Sequence, residues 1–379
     1  MFLKKLKLIN YRNYTDFSQD FNHLKTIIIG QNAQGKSNIL EALNILATSN
    51  SNRAEKDSNL VQWEKEYALI FADIETKGLE LEIALQINPT GRRKLKINGI
   101  SKKAPQADLI GNFFAVLFSC DDLYLIKGSP SLRREWIDSV LIQLDKKYHK
   151  LLQDYQKSVT QKNALLKSAL EKGVSQNKLK IELDIWNEKI LKSGSEIICL
   201  RLSFLEEIKP LAGQFLSDIS KGTENLDLVY NSTIPNLRIK AIQEIPLLFK
   251  QSLEESFSKE YARGQSLIGP HRDDIDFLIN NKAAKSFASQ GQQRSIVLTL
   301  KLAELKIIEK RTGEIPVLLL DDVFAELDES RQNFLLHNLP ENIQTFITTT
   351  HLSTIQKDLL NSAHVIEVEN GKVLEKIES

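Results

Sequence analysis

Cysteine is scarce. The 379 residues contain two, Cys120 and Cys199, far apart and without metal-ligand spacing. That excludes a disulfide framework and a cysteine-bound metal, and the expectation is two reduced, buried thiols in a cytoplasmic protein. Long apolar runs are also missing. No stretch approaches the roughly 18 unbroken apolar residues of a membrane span, and Met1-Phe2-Leu3-Lys4-Lys5 lacks the apolar run of a signal peptide. Charge of one sign is not in excess: the net charge is +1. Global basicity therefore does not announce nucleic acid, although a balanced chain can carry one basic face. Internal repeats and low-complexity tracts are absent. Aromatic and basic residues do not interleave, so any nucleic acid would be recognised by backbone and shape rather than by base stacking or base reading.

The length allows two or three lobes. Residues 2–9 alternate toward a strand and lead into the turn Tyr11-Arg12-Asn13-Tyr14. Residues 26–29 are a β-branched apolar run, as in a buried strand. Residues 37–47 read as a helix with Ile39, Leu40, Leu43 and Leu46 on one face. Between 67 and 100 the period is that of strands, punctuated by Asn88-Pro89-Thr90-Gly91 and by Asn98-Gly99, a strong hairpin signal. Residues 113–119 are another buried strand. From Ser129 to about Tyr261 the period is helical. Ile137, Leu141, Leu144, Tyr148, Leu151 and Tyr155 fall on an a/d seam, and Lys172-Gly173-Val174-Ser175 breaks it. Leu179, Leu183, Trp186, Ile190 and Ile197 continue on a second helix. The pattern predicts a helical hairpin of modest length, an ordinary subdomain in preference to a coiled-coil arm. Strands return at 316–320 and 345–350, and a last hairpin turns at Asn370-Gly371, with Lys372-Val373-Leu374-Glu375 as its return strand. Trp63, Trp136 and Trp186 are expected in the core. The fold class is thus α/β with an antiparallel β subdomain, split by a helical lobe. The expected segments are 1–126, 127–262 and 263–379.

The chemistry begins at Gly30-Gln31-Asn32-Ala33-Gln34-Gly35-Lys36-Ser37, followed by Asn38. This matches the Walker A pattern at every fixed position. Gly30 and Gly35 let the loop curl so that backbone N–H groups face inward. Those amides and the following helix start bind phosphate, Lys36 reaches the β- and γ-phosphates, and Ser37 holds Mg²⁺. The expected cofactors are ATP and Mg²⁺. Leu318-Leu319-Leu320-Asp321-Asp322 is an apolar strand ending in two carboxylates, the Walker B arrangement. Asp321 is the second metal ligand with Ser37, and Asp322 either orients the attacking water or caps the next turn.

Ser289-Gln290-Gly291-Gln292-Gln293-Arg294 precedes a helical run and offers an anion a hydroxyl, a bare amide and a positive dipole end. It resembles the ABC signature, which implies that Ser289, Gly291 and Gln292 contact a nucleotide held by a second copy. Ala325-Glu326-Leu327-Asp328 resembles the D-loop, and Thr350-His351 the switch histidine. Lys36 and Ser289 are separated by two thirds of the chain, more than in transporter ATPases and far less than in SMC proteins. With Leu8-Ile9-Asn10-Tyr11-Arg12-Asn13-Tyr14, Lys127-Gly128-Ser129-Pro130-Ser131-Leu132-Arg133-Arg134 and Gly269-Pro270-His271-Arg272-Asp273-Asp274, the whole chain resembles the RecF family of bacterial DNA replication and repair ATPases. Ser119-Cys120-Asp121-Asp122 departs from the family's Ser-Pro-Glu-Asp. Gln62 and Gln86 are the available candidates for a Q-loop glutamine.

The resemblance implies an ATP-driven homodimer on double-stranded or gapped DNA and weak, DNA-stimulated hydrolysis to ADP and phosphate. It also implies Arg12 beside the nucleotide, and RecR, RecO and RecA as partners. Asp322 is one methylene shorter than the glutamate many ABC ATPases use, so slow turnover is expected. Phosphate-contacting candidates are Arg92, Arg93, Lys94, Lys96, Lys102 and Lys103, then Lys127, Arg133 and Arg134, and the basic excess across 127–209; solvated surface charge is the competing reading. His271 to Asp274 fit either an interface loop or a phosphate contact. Two rival functions remain: a transporter ATPase subunit, disfavoured by the long insertion, and a non-hydrolysing scaffold that binds ATP. Little sequence follows His351, so a fused nuclease is not expected.

Overall fold

The structure is a computed structural model, which describes residues 1–235, 237 and 239–374, without the side chains of 239–241. Glu375, assigned above to the last hairpin, lies outside the described residues. Two compact units form: Met1–Leu123 with Arg294–Ser379, and Tyr124–Gln293.

The first unit contains two six-stranded sheets. One is built on β3 (Lys25–Ile29), β8 (Ala115–Ser119), β12 (Val317–Asp321), β13 (Thr345–Thr349), β14 (His364–Glu369) and β15 (Lys372–Leu374), in the order β15-β14-β3-β13-β12-β8. All neighbours are parallel except the edge pair β14 and β15. Parallel strands are covered on both faces, which is why β3 and β12 read as nearly continuous apolar runs. Leu320 pairs with Ile347, Asp321 with Thr348, and Thr349 with Ile29. Three adjacent strands therefore end level, and their following residues meet at one edge. Helix α1 (Lys36–Thr48) packs its apolar face, including Ile39, Leu40, Leu43 and Leu46, into the same core as Leu319 and Phe346.

The second sheet is antiparallel, in the order β2-β1-β4-β5-β6-β7. Its strands are β1 (Phe2–Tyr11), β2 (Tyr14–Asp20), β4 (Ala68–Thr76), β5 (Leu79–Ile87), β6 (Arg93–Ile97) and β7 (Ile100–Ser101). Strand β4 shows the expected alternation: Ala68, Ile70, Ala72 and Ile74 face the core. Asn98 and Gly99 take φ values of 49° and 75° and close the β6–β7 hairpin, as a left-handed two-residue turn requires.

The second unit is mainly helical: α2 (Pro130–Leu144), α3 (Lys146–Lys172), α4 (Gln176–Ile219) and α5 (Ile245–Arg263). A small sheet of β9 (Leu226–Asn231), β10 (Asp274–Ile279) and β11 (Lys282–Ala283) accompanies them. Four expectations need correction here and in the first unit. The a/d seam is not one helix, because Asp145 leaves helical geometry and its side chain accepts from Lys147 N to start α3. The hairpin is longer than modest, with α3 at 27 residues and α4 at 44. Strand β9 interrupts the region read as wholly helical. Trp63 is 93% exposed on a first-unit loop, whereas Trp136 is buried.

The block carrying the phosphate candidates Arg133 and Arg134 and the block from His271 to Asp274 prove to be each other's partners. Arg133 pairs with Asp274 at 2.7 Å, and Arg134 donates to the Asp273 carbonyl at 2.7 Å. The buried Asp273 carboxylate accepts from Tyr230 and from the backbone and hydroxyl of Thr233. His271 Nδ1 lies 2.6 Å from the Tyr155 hydroxyl. Burial, reinforced by Arg272, pushes the His271 imidazole down to about 4. Arg133 is thus a structural residue rather than a phosphate contact.

Lys162 and Glu260 form an ion pair at 2.7 Å with both side chains 1% exposed. Glu260 also accepts from Ser266 Oγ and Leu267 N, so one carboxylate joins α3, α5 and the following loop. Removing one partner leaves a buried charge unpaired, and Lys162→Met should cost about 3–5 kcal/mol. Adding Glu260→Leu should recover much of that loss. Urea unfolding of the two variants checks it; equal loss in both would show that the pair's charge is unimportant.

Candidate nucleotide site

The glycine-rich loop leaves β3 at Gly30 and enters α1 at Lys36. Gly30 has no space for a side chain, since a Cβ would stand 2.3 Å from the Val368 carbonyl oxygen. Gly35 has φ 117°, and a Cβ there would meet Asn13 and the Tyr14 hydroxyl within 2.8 Å. Glycine is required at both positions for these separate reasons. The β1–β2 turn clasps the loop: Asn13 Nδ2 donates to the Gln34 carbonyl at 2.8 Å, and Asn38 Nδ2 donates to Asn13 Oδ1 at 2.8 Å. From the other side, Asn370 N donates to Gln34 Oε1 at 2.6 Å and Gly371 N to Gln34 O at 3.1 Å. The loop is therefore held in shape by the chain itself. Lys36 Nζ turns inward to the Gly30 and Gln31 carbonyls at 2.8 and 3.0 Å. Burial pulls its ammonium below the ordinary lysine value, against the attraction of Asp322 and Asp321.

At the end of β12, Asp321 Oδ1 accepts from Ser37 Oγ and from Thr348 Oγ1, each at 2.7 Å. Thr348 Oγ1 in turn accepts from Asp322 N at 3.0 Å. Asp322 sits in left-handed geometry, φ 54° and ψ 20°, a strained backbone for a residue other than glycine. Burial raises its carboxyl above the ordinary aspartate value; Lys36 opposes the shift and Asp321 adds to it. Among the described residues, no group of three or more His, Cys, Asp and Glu could cage a metal. Mg²⁺ rarely needs such a cage, because it takes one or two carboxylates together with phosphate oxygens and water. The adjacent hydroxyl of Ser37 and carboxylate of Asp321 fit that requirement.

The remaining predicted residues fall in four places. Arg12, with φ 53°, makes two bonds to the buried Glu41 carboxylate, Nε at 2.8 Å and Nη2 at 2.6 Å. Tyr11 and Ser51 hydroxyls complete the Glu41 shell. His351 is exposed just beyond β13, where its backbone N–H donates to Thr349 Oγ1 at 3.2 Å. Asp328 caps helix α7 (Glu329–His337) by accepting from Arg331 N at 2.9 Å. Ser289, Gly291 and Gln292 belong to the second unit, at the start of helix α6 (Gln290–Thr312). There, Ser289 N donates to Gln292 Oε1 at 2.8 Å and Gln292 N to Ser289 Oγ at 3.2 Å. This reciprocal pair is a capping box, which fixes the helix start.

Thr348, Glu41 and Gln34's two anchors from Asn370 and Gly371 were missed by sequence reasoning. Thr348 carried a usable signal, a hydroxyl near the end of a buried strand. The pairing of Glu41 with Arg12 carried none. In the divergent block, Asp122 accepts from Ser119 N and pairs with Lys301 at 2.9 Å. Cys120 Sγ lies 3.5 Å from the Asp322 carbonyl, and burial pushes its thiol up to about 12. Among the basic candidates, Arg93 is withdrawn from surface binding by its pair with Asp57 at 2.6 Å. Arg92, Lys94, Lys96, Lys103 and Lys127 are exposed.

Residues 2–373 match the family model for the RecF/RecN/SMC N terminal domain. The DNA replication and repair protein RecF of Thermosynechococcus vestitus is 42% identical over 373 residues, covering 98% of this chain and 97% of that one. The RecF of a Synechococcus strain is 41% identical over 374 residues, with the same coverage of both chains. A solved structure of the recombination mediator protein RecF-ATP in the RecFOR pathway superposes with TM-score 0.86 at 35% identity, covering 99% of this chain and 97% of that one. The Smc head domain of Pyrococcus furiosus is 19% identical with TM-score 0.52, covering 98% of this chain and 96% of that one, and shares the fold.

Arg12→Ala would leave the Glu41 carboxylate buried with hydroxyl donors alone. The expected loss is about 3–5 kcal/mol, and Arg12→Ala with Glu41→Gln should lose less. Denaturant midpoints test this; a fully stable Arg12→Ala protein would show that the pair does not hold the first unit together.

Proposed function

The chain belongs to the RecF family of DNA replication and repair proteins, and on that premise we propose that it is an ATP-dependent DNA-binding protein of recombinational repair and replication restart. The observation that carries the proposal is the meeting of Lys36, Ser37, Asp321 and Asp322 at the level ends of β3, β12 and β13. The Gly30–Gly35 loop and the start of α1 bind the triphosphate through backbone N–H groups and the helix dipole. Lys36 exchanges its loop carbonyls for phosphate oxygens. Ser37 and Asp321 would hold Mg²⁺, which would supply neutralisation of the charge developing on the phosphates. Asp322 accepts a proton from the attacking water or orients it.

Hydrolysis is proposed to need a second copy. Ser289 and Gly291 would approach the γ-phosphate from the opposite chain, with Gln292 fixing their geometry through the capping box. Asp328 and His351 would lie at the same interface. ATP thus closes a homodimer on gapped or double-stranded DNA, and slow hydrolysis reopens it. Exposed lysines such as Lys94, Lys96, Lys103 and Lys127 supply backbone contacts. Family resemblance extends the role to loading RecA with RecO and RecR.

Sedimentation with and without ATP, repeated on gapped DNA, tests the sandwich. The wild type should dimerise with ATP, and Ser289→Arg should bind ATP yet remain monomeric. A wild type that stays monomeric with ATP and DNA would remove the signature role and favour the scaffold reading. Independently, Asp322→Asn should retain nucleotide binding while single-turnover hydrolysis slows about 10²- to 10⁴-fold. Unchanged hydrolysis would reassign the base.

A further inference from the structure

The segment after Asp322 is tied to Arg294 and Ser295 of α6 and to the turn at His351 by a compact set of side chains, all within the first unit. Arg294 Nη2 donates to Glu326 Oε2 at 2.6 Å. Arg331 Nε donates to Ser295 Oγ at 3.0 Å, and its Nη1 pairs with Asp328. The buried Gln332 directs its amide group to the carbonyls of Phe324 at 2.8 Å, Leu327 at 3.0 Å and Thr354 at 3.3 Å. Thr354 Oγ1 continues the chain to the His351 carbonyl at 2.7 Å.

Stability alone does not account for the outer pair. The Arg294 and Glu326 side chains are 34% and 40% exposed, and such partly exposed pairs contribute about 0–1 kcal/mol. Their placement is more informative. Arg294 ends the Ser289–Arg294 block, and Glu326 follows Asp322 on the same short stretch of chain. Helix α6 is continuous from Gln290 through Arg294, so Arg294 stands on the same helix as the signature residues, and its ion pair joins that helix to Glu326.

We propose that Arg294 and Glu326 are positioning residues: a latch by which engagement of the signature at one nucleotide sets the water-orienting Asp322 beside the other. Arg331 and Gln332 hold the same stretch from beneath, so that movement of the latch is passed to Asp322 rather than lost in the loop. The latch acts on Asp322 through the chain segment that joins it to Glu326. Its loss leaves ATP affinity and closure intact and slows the chemical step. The inference rests on the ATP-sandwich reading above.

Charge exchange in the full-length protein tests it, with Arg294→Glu, Glu326→Arg and the double variant compared with wild type. Thermal midpoints, binding of a fluorescent ATP analogue, ATP-dependent sedimentation, and KM and kcat are read for each. The single variants should fold, bind ATP and dimerise as wild type does, with KM nearly unchanged and kcat about tenfold lower. The double variant should recover most of the lost kcat. Single variants with wild-type kcat, or a double variant as slow as the singles, would overturn the latch while leaving the sandwich standing. Wild-type protein that neither dimerises nor hydrolyses ATP would instead remove the sandwich, and the latch with it.

Discussion

One carboxylate oxygen organises the site. Asp321 Oδ1 accepts from Ser37 at the start of α1 and from Thr348 near the end of β13. Those bonds are possible because β3, β13 and β12 pair in parallel register and end at the same level. A slip of one residue in β12 would turn Asp321 toward the opposite face of the sheet. The metal-ligating geometry proposed here therefore depends on sheet register. Val317, Leu318, Leu319 and Leu320 are fully or almost fully buried, which holds β12 inside the sheet, and its pairing with β13 and β8 sets where the two carboxylates fall.

The second unit solves a different problem. Its long helices carry buried charges, and each is closed off locally: Lys162 by Glu260, Arg201 by Asp138, Arg133 by Asp274. Arg201 also donates to the Pro270 carbonyl at 2.7 Å, which links α4 to the segment ending in Asp273 and Asp274. Buried pairs like these are weak sources of net stability compared with apolar packing, yet costly to break from one side. Their effect is to penalise any arrangement of the helices in which the partners do not meet.

Legibility in the sequence followed the range of the interaction. The phosphate loop, the Asp321-Asp322 strand and the Asn98-Gly99 hairpin were readable because period and turn chemistry are local. The fold class was readable as well, from strands that return after a helical region. The break in the a/d seam was not, because seven-residue spacing continued through Asp145 while the backbone left the helix there. Strand β9 was hidden by the helical period on both sides, although its Leu226 and Leu228 alternate with less buried residues. Trp63 illustrates the limit of composition: tryptophan is usually interior, but its loop buries Leu60 and Val61 instead and leaves Trp63 outside. Arg12 was noticed for its resemblance to a nucleotide contact. Its bond to Glu41 spans a turn, a loop and a helix, and nothing in the spacing announces it.

The conformation of Asp322 connects these scales. A left-handed aspartate costs about 1–3 kcal/mol, and a regular strand end would avoid it. Thr348 removes the choice. Its hydroxyl donates to Asp321 and accepts from the Asp322 N–H, so the two acidic residues are fixed relative to each other through one oxygen. The left-handed turn also redirects the chain after β12, sending Val323 and Phe324 into the core, while Glu326 meets Arg294. Relaxing Asp322 to ordinary strand geometry would break the Thr348 bond and carry the following segment away from α6. The strain at Asp322, the burial of Val323 and Phe324, and the contact with α6 are consequently a single structural commitment, made where the proposed water-orienting group stands.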